Sequence, residues 1–171
     1  MKLDFLTFDF DKFAQEMQNL KEQKGFDYLV TIVGEDFGPE EGLGCIYILE
    51  NTETHERCSV KMIARTQMCG DEIASNGVGV ADEQLTPYLP SVINIWHVAD
   101  LLEREVYDFY GIVFIGHPDM RRLFLHSDFK GFPFRKDWKF DDSYTLDDEV
   151  EPEYGLEYYL DREGCLQVKH N

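Results

Sequence analysis

The segment from residue 103 to residue 137 constrains this chain more than any other part of it. It is dense in ionisable groups, aromatic rings and turn residues, yet it contains no cysteine. Between Arg121 and Lys136 it carries five basic residues and one acidic residue, a local net charge of +4 in a chain whose net charge is −18. A basic island in an acidic protein indicates an acidic partner, either inside the molecule or on another one.

The composition predicts one globular domain. The 171 residues are 43% hydrophobic and 14% aromatic, and a chain of this length buries about 70% of the surface that its unfolded form exposes. The 34 acidic residues outnumber the 16 basic ones. This argues against nucleic acid as a partner, because a phosphate backbone needs a larger basic footprint than this island. It also argues against direct adsorption to anionic lipid.

The sequence contains no apolar run of the ~20 residues that a membrane-spanning helix requires. Residues 1–5 lack the apolar core of a signal peptide and carry an acid where a transit peptide avoids one. We therefore expect the protein to start out in the cytoplasm and to reach a membrane only by docking to an integral partner.

The cysteines do not predict a metal site. None of the four belongs to a CxxC pair, and their spacings of 13, 11 and 96 residues match no common zinc or iron–sulfur arrangement. We interpret them as reduced thiols, some of them buried as small apolar groups: Cys45, Cys58, Cys69 and Cys165.

A first helix is predicted over residues 10–23. Apolar residues recur there at helical spacing, Asp9 is suited to cap its start, and Gly25 is suited to stop it. The apolar stripe of this helix consists of Phe10, Phe13, Met17 and Leu20.

Strands are predicted over 26–33, 45–49 and 58–64, with a loop over 34–44. The polar linker 51–57 is short enough to join the second and third strands as a hairpin. Alternate residues of the third strand share one face, which we expect to pack on the first helix: Cys58, Val60, Met62 and Ala64.

The stretch 66–85 has weak periodicity, which predicts a partly irregular crossover that Pro87 and Pro90 close. A brief strand over 112–115 and a turn over 116–119 are predicted further along the chain. The second predicted helix lies between these two regions.

The second helix is predicted to begin at Ser91 or Asn94 and to stop before Gly111. Its buried stripe consists of Ala99, Leu102, Val106 and Phe109. Its charged residues mostly fall outside that stripe: Glu103, Arg104, Glu105 and Asp108. Arg104 and Asp108 are four residues apart, where an ion pair can form on the helix surface.

The tail, residues 139–171, differs in character from the rest of the chain. It has ten acidic and three basic residues, a net charge of −7, and little periodicity outside 156–160. We expect an extended acidic arm that follows a surface, with an added edge strand as one form of it. The predicted organisation is a domain over 1–138 and a C-terminal extension over 139–171.

The strongest catalytic candidates are Glu103, Glu105 and Asp108 together with His117. Glu103 and Glu105 lie about 200° apart on a helix, because each residue turns it by about 100°, so they do not face each other. An arginine within reach of each favours the ionised form and weakens a general-acid role. A turn histidine can be a metal ligand or a base. No second histidine stands at ligand spacing, which favours a packed, hydrogen-bonded His117.

The basic pairs Arg121-Arg122 and Arg135-Lys136 can grip an anionic ligand or pair with carboxylates across a subunit boundary. No GxGxxG or GxxxxGK(S/T) nucleotide loop and no Gly-x-Ser-x-Gly element accompanies them. The residues by themselves predict no catalytic, cofactor-binding or metal-binding residue, and they favour a binding or assembly role.

One run of residues extends across the whole block: Glu103-Arg104-Glu105-Val106-Tyr107-Asp108, Gly111, Phe114, Gly116-His117-Pro118, Arg121-Arg122 and Arg135-Lys136-Asp137. This run resembles the signature of the 30 kDa subunit family, the C-type subunits of the respiratory NADH:quinone oxidoreductase known as complex I. The family has similar segments at the positions of Asp27-Tyr28-Leu29, Pro90-Ser91-Val92 and Trp96, so the resemblance covers about residues 26–138.

The resemblance implies a compact α+β domain with an antiparallel or mixed sheet packed against helices. It also implies a non-catalytic peripheral-arm subunit that binds no flavin or iron–sulfur cluster, in a proton-translocating complex that uses NADH, FMN, iron–sulfur clusters and quinone. The expected partners are the 49 kDa, D-type protein of the quinone site and other peripheral-arm subunits, on the cytoplasmic side of the inner membrane. The expected brace and docking residues are Glu103, Arg104, Glu105, Asp108, His117, Arg121, Arg122, Arg135, Lys136 and Asp137.

Two other interpretations stay open. The same module occurs in membrane-bound hydrogenases and in ferredoxin-linked dehydrogenase complexes, so the electron donor is not fixed. A free-standing metal-dependent hydrolase that uses His117 with nearby carboxylates is the alternative from another class of protein.

Overall fold

The computed structural model has an α+β architecture, which confirms the predicted fold class. It describes residues 5–68, 85–126, 129–139, 156–160 and 166–170. The chain divides into one compact unit of residues 1–138 and another of residues 139–171.

The N-terminal region contains β1 (Leu6–Thr7), a turn of 3-10 helix (Phe10–Lys12) and α1 (Phe13–Glu22). The predicted first helix therefore begins with a tighter turn. Asp9 caps this turn, because its carboxylate accepts a hydrogen bond from the backbone N–H of Asp11 at 3.4 Å. The predicted apolar stripe is confirmed by three buried residues of α1: Phe13, Met17 and Leu20.

The first sheet has the strand order β1-β4-β3-β2, with β1 parallel to β4 and the other pairs antiparallel. Its antiparallel strands are β2 (Tyr28–Asp36), β3 (Leu43–Glu50) and β4 (Arg57–Ile63). The predicted hairpin of β3 and β4 is confirmed. The loop predicted from residue 34 begins later, because β2 continues through Gly34. A Cβ at Gly34 would lie 2.5 Å from Cδ2 of Tyr110, so glycine lets that ring lie against the strand.

One hydrophobic core joins this sheet and α1 to residues further along the chain, such as Val106 and Phe114. The Phe13 ring of α1 lies 5.2 Å from the Tyr47 ring of β3, measured between centroids. Val60 and Met62 of β4 are buried in the same cluster, and each large apolar side chain so buried contributes about 1.5–3 kcal/mol. Cys58 of β4 and Ala64, which directly follows β4, are partly buried and pack against this cluster, as the predicted alternation requires.

The second sheet has the order β5-β6-β7 and consists of β5 (Arg65–Met68), β6 (Leu85–Pro90) and β7 (Val113–Ile115). β5 and β6 are antiparallel, whereas β6 and β7 are parallel. The irregular crossover predicted over 66–85 is wrong at its two ends, because these belong to β5 and β6. The residues between them, 69–84, lie outside the described residues. Pro87 lies within β6 but before the residues that pair with β7, so its missing N–H removes no bond to that strand.

The second helix, α2 (Ala99–Tyr110), begins later than predicted, since neither Ser91 nor Asn94 caps it. It stops at Gly111 as predicted. The φ of Gly111 is +70°, a conformation that glycine adopts freely, and its N–H donates to the carbonyl of Tyr107 at 2.8 Å.

The buried face of α2 differs from the predicted stripe. Its buried residues are Ala99, Glu103, Val106 and Asp108. The prediction that Glu103 and Asp108 fall outside the stripe is therefore wrong, and Leu102 and Phe109 are only partly buried. A buried carboxylate is tolerated only when hydrogen bonds replace its lost water. The hydrogen-bond partners of Glu103 and Asp108 therefore mark the candidate functional site.

The second unit contains β8 (Leu156–Leu160) and β9 (Leu166–His170), which pair as antiparallel strands. Most of the predicted acidic arm lies outside the described residues, so its course along a surface stays a prediction. None of the helices that the structure describes is long and apolar enough to cross a membrane.

Candidate functional site

The C-terminal end of α2 is covered by a polypeptide segment that we call the brace segment, residues 121–126 and 129–138. A helix leaves its last four carbonyls without partners inside the helix. In this chain each of the four accepts a hydrogen bond, of 2.8, 3.0, 3.2 and 2.6 Å in chain order. The pairs are Tyr107 with the N–H of Gly111, Asp108 with Nη1 of Arg122, Phe109 with the N–H of Phe134, and Tyr110 with Nε of Arg135.

Asp108 anchors the start of the brace segment. Its Oδ1 accepts from Nη1 of Arg122 at 3.0 Å. Its Oδ2 accepts from three successive backbone N–H groups at 3.1, 2.6 and 2.9 Å, those of Leu123, Phe124 and Leu125. Burial raises the pKa of Asp108, but the hydrogen bonds of the backbone N–H groups and of Arg122 outweigh it and hold the pKa below its ordinary value.

Arg122 is an internal residue. Its Nη2 donates to the carbonyls of Phe129 and Gly131 at 3.0 and 2.9 Å, and its guanidinium lies 5.1 Å from the centroid of the Phe132 ring. Only 16% of its side chain is exposed. Nη1 and Nη2 of Arg122 therefore donate within the chain, which favours the first of the two partners that the basic island allows, one inside the molecule.

Arg104 supports the brace segment from the helix side. The predicted ion pair of Arg104 with Asp108 does not form, because Asp108 points inward to Arg122. Arg104 instead donates from Nε and Nη2 to the carbonyls of Arg121 and Arg122, at 3.2 and 3.3 Å. A guanidinium that bonds two successive carbonyls fixes the path of the backbone between them.

The Arg135-Lys136-Asp137 triplet lies at the far end of the brace segment. The Arg135 guanidinium stacks 4.8 Å from the Phe132 ring centroid, and burial lowers its pKa. The backbone N–H of Lys136 donates to Oδ2 of Asp36 in β2 at 2.8 Å. Burial raises the pKa of Asp36. The hydrogen bonds from the N–H groups of Lys136 and Gly38 lower it by more, so the pKa lies below its ordinary value. The side chains of Lys136 and Asp137 are exposed.

Glu103 lies deeper in the helix packing and has no basic partner among the described residues. Its Oε1 accepts from the N–H of Val92 at 2.7 Å, and its Oε2 accepts from the hydroxyl of Ser91 at 2.7 Å. Burial is the main cause that raises its pKa to about 7, although the two hydrogen bonds lower it. The predicted stabilisation of the ionised form by an arginine is therefore wrong for Glu103, whose partners are Val92 and Ser91. Glu105 is exposed, so the two glutamates do not face each other, as predicted.

Two buried side chains of β3 lie within electrostatic range of Glu103. Burial, with the charge of Glu103 as a smaller cause, raises the pKa of the Cys45 thiol well above its ordinary value. Burial likewise raises the pKa of Tyr47. The Tyr47 hydroxyl is the one buried side-chain polar atom of the described residues that has no hydrogen-bond partner. The Cys45 thiol and the Tyr47 hydroxyl therefore stay protonated in a largely apolar interior.

His117 is buried and uses both of its ring nitrogens. Its Nδ1 accepts from the N–H of Asp119 at 3.0 Å, so the proton of the neutral ring lies on Nε2. Nε2 donates to the carbonyl of Asp100 at 3.1 Å and lies 3.2 Å from Oδ1 of the same residue. The predicted packed, hydrogen-bonded histidine is confirmed. Arg121 lies outside this site, 75% exposed, and pairs with Asp119 at 2.7 Å.

The described residues contain no group of three or more His, Cys, Asp or Glu side chains that could hold a metal ion. Cys45 and Cys58 are free thiols, the first buried and the second partly exposed. Cys69 and Cys165 lie outside the described residues.

The sequence interpretation missed Ser91, Asp36 and Asp100 as partners of the signature residues. A signal for Glu103 was present in the sequence. Glu103 stands four residues after Ala99 and three before Val106, which is the spacing of one helix face. The partners of Asp108 and His117 lack such a signal, because their contacts depend on how the brace segment folds back.

The fold and the site define a small α+β domain whose signature residues brace the end of its second helix. The sequence pattern of the family described as respiratory-chain NADH dehydrogenase, 30 Kd subunit, matches residues 6–144. The chain belongs to this family, as its resemblance predicted.

Three curated relatives illustrate the match. The chain is 45% identical over 128 residues to the C/D subunit of the NADH-quinone oxidoreductase of Phocaeicola vulgatus, covering 75% of this chain and 21% of that one. It is 38% identical over 167 residues to the corresponding C/D protein of Bacteroides fragilis, covering 91% and 28%. It is 40% identical over 133 residues to the C-type subunit of the NADH-quinone oxidoreductase of Chloroherpeton thalassium, covering 77% and 46%. The chain thus spans less than half the length of these relatives.

Proposed function

We propose that this chain is a non-catalytic, structural subunit of the peripheral arm of a proton-translocating NADH:quinone oxidoreductase. In this role it docks the 49 kDa, D-type protein that forms the quinone site. The family match and the names of the relatives support membership of such a complex. Some relatives are C/D fusions, and a covalent link between the two parts in those proteins supports the D-type protein as the neighbour.

The observation that carries the structural role is the use of the signature residues. Asp108, Arg122, Arg135 and His117 each hold backbone groups of this chain. An acid–base catalyst or a cofactor ligand needs an accessible group aimed at a reacting atom. Groups that hold backbone in place instead give a surface a fixed shape, which lowers the entropy lost when a partner docks.

The remaining parts of the proposal follow from this role. The chain binds no cofactor, and the NADH, FMN, iron–sulfur clusters and quinone belong to other subunits. It contacts the membrane only through the complex, on the cytoplasmic side of the inner membrane, and it does not bind nucleic acid.

The test is affinity purification of the tagged chain from its native membranes in mild detergent, with the subunits identified by mass spectrometry. We expect a D-type protein and other peripheral-arm subunits, and NADH:quinone activity in the purified complex. The full chain purified alone is expected to be colourless and unable to oxidise NADH. Recovery of the tagged chain without these subunits, or NADH oxidation by the chain alone, would contradict the proposal.

A further inference from the structure

The segment between β6 and α2, residues 91–98, is bonded to the helix by the Glu103 side chain, and we call it the connection segment. Oε2 of Glu103 is bonded to the hydroxyl of Ser91, and its Oε1 accepts from the N–H of Val92, both at 2.7 Å. The Ser91 hydroxyl in turn accepts from the N–H of Ile93 at 3.2 Å. Glu103 therefore holds the first three residues of the connection segment.

The groups that face Glu103 do not compensate a negative charge on it, and its side chain is fully buried. On β3, burial keeps the side chains of Cys45 and Tyr47 protonated. On α2, Asp100 lies one turn earlier and disfavours a second negative charge. The described residues place no basic side chain at ion-pair distance from Glu103. A carboxylate in this position therefore needs water.

The other charged or titratable groups around the connection segment do not bond to Glu103 in the part of the chain that the structure describes. Nζ of Lys21 in α1 donates to the carbonyl of Ile95. The buried ring of His117, which follows β7, is bonded to Asp100. His97 belongs to the connection segment itself and is exposed. The charge state of Glu103 is thus balanced by its hydrogen bonds to the connection segment alone.

The Ser91 hydroxyl allows the Glu103 carboxyl to gain or lose a proton. In the protonated form, Oε2 carries the proton and donates it to Oγ of Ser91, while Oε1 accepts from Val92. In the ionised form the proton has passed to bulk water, and the Ser91 hydroxyl rotates to donate to Oε2. The ionised form leaves a charge in an apolar interior, and water solvates that charge only when the connection segment moves away from α2.

We propose that Glu103 is a pH-sensitive switch that holds the connection segment on α2 when it is protonated and releases the first residues of this segment when it is ionised. The release is local, because Nε1 of Trp96 donates to the carbonyl of Asp27 at 3.1 Å and keeps the far end in place. Burial raises the pKa of Glu103 to about 7, so the switch operates at physiological pH. It is a property of this chain and does not depend on the proposed function.

The first experiment follows Trp96, whose backbone N–H donates to the carbonyl of Val92 at 2.9 Å and whose side chain is 4% exposed. The full chain is labelled with 5-fluorotryptophan, and the resonances of its two tryptophans are assigned with Trp138→Phe. Between pH 5 and pH 8 we expect the fluorine resonance of Trp96 to shift with a midpoint near pH 7, the pKa of Glu103. The Trp138 resonance is the internal reference.

Three variants assign this transition. Glu103→Gln is expected to abolish it, whereas Glu105→Gln, at an exposed position of the same helix, is the matched control and should keep it. His97→Gln should keep it as well. A Trp96 resonance that does not move in the wild type, that still moves in Glu103→Gln or that stops moving in either control would overturn the inference.

A further variant shifts the switch without removing it. Ser91→Ala takes away a donor to the ionised carboxylate, so the midpoint of the Trp96 transition should move to higher pH. An unchanged midpoint contradicts the switch, and this result decides the matter if Glu103→Gln does not fold.

The second experiment measures release directly, by hydrogen exchange of single amides in the full chain. Each rate is divided by that of an unstructured peptide at the same pH. We expect the protection of the Val92 and Ile93 amides to fall by at least about tenfold from pH 5 to pH 8, against an upper limit of roughly 70-fold for full exposure of Glu103. Glu103→Gln should show no such fall.

The amide of Tyr47, in the central strand β3, is the reference for unfolding of the whole domain. Because the release is local, the Val92 and Ile93 amides should exchange faster than the Tyr47 amide throughout this pH range. Equal protection of the three amides means that only unfolding of the whole domain responds to Glu103, and the inference then fails.

Discussion

Asp108 and Arg122 form an ion pair of 3.0 Å between Oδ1 and Nη1, with Asp108 fully buried and Arg122 16% exposed. The same carboxylate accepts three backbone N–H groups, and the same guanidinium donates to three carbonyls. The pair therefore links the end of α2 to the brace segment through a single hydrogen-bonded network. A buried pair of this kind is costly to break from one side, because the remaining charge is left without its partner.

We expect Asp108→Asn to destabilise the protein by about 3 kcal/mol, the lower end of the range for removing one partner of a buried ion pair. The amide keeps the shape but turns an N–H₂ group toward donors that need an acceptor. The measurement is urea unfolding of the full chain at pH 7, with Asp137→Asn as an exposed control that we expect to leave the midpoint unchanged. Equal midpoints for both variants would show that the network does not hold the fold.

Arg122 and Arg121 are expected to behave differently although they are adjacent. Arg122→Lys loses the planar fork that reaches three carbonyls and Asp108, so the brace segment should open more often. Hydrogen exchange followed by mass spectrometry should show faster exchange over residues 121–126, at least about tenfold for a local loss near 1.4 kcal/mol. Arg121→Lys, at an exposed position, is the matched control and should exchange as the wild type does. Faster exchange in both variants, or in neither, would contradict the assignment of Arg122 as the internal residue.

The raised pKa of Glu103 makes the free energy of unfolding depend on pH. Its pKa in the folded protein is about 7, against 4.5 for the ordinary group. Protonated Glu103 therefore contributes fully to the free energy of unfolding below about pH 4.5, and this contribution is lost as the pH rises through 7. The reason is that Glu103 loses its proton at a lower pH in the unfolded chain than in the folded protein. The loss amounts to about 3 kcal/mol for a shift of this size. Wild type and Glu103→Gln are compared by urea unfolding between pH 5 and pH 8.

Glu103→Gln keeps the uncharged form at every pH, since its carbonyl can accept from Val92 and its amide can donate to the Ser91 hydroxyl. We expect the free energy of unfolding of the wild type to fall relative to the variant as the pH rises. Two curves that stay parallel across this range would show that Glu103 does not titrate there.

Tyr47→Phe is expected to be neutral or to stabilise the protein by about 1 kcal/mol, because a buried hydroxyl without a partner costs free energy. The Tyr47 side chain is fully buried, and its hydroxyl has no partner among the described residues. Thermal unfolding of the full chain measures the effect, and Tyr28→Phe on the exposed surface is the control. A clear loss of stability in Tyr47→Phe alone would indicate that the hydroxyl binds a group such as an internal water.

Sequence patterns correctly predict those features that depend only on residues close together in the chain. The stripe of Phe13, Met17 and Leu20, the hairpin of β3 and β4, and the end of α2 at Gly111 were all predicted from local spacing or turn chemistry. The interior of α2 was predicted less well. Its apolar residues are predicted to be buried and its charged residues to be exposed, yet Glu103 occupies the same buried helix face as Ala99 and Val106.

The sequence by itself determined the family, the α+β class and the positions of the main elements, because hydrophobic period and turn residues act on neighbours along the chain. Only the tertiary structure decided which charges pair. Arg122 pairs with Asp108, which lies 14 residues earlier in the sequence, and the N–H of Lys136 donates to Asp36, which lies 100 residues earlier. Such choices depend on which groups lose their water when distant segments pack together, and no local pattern encodes that loss.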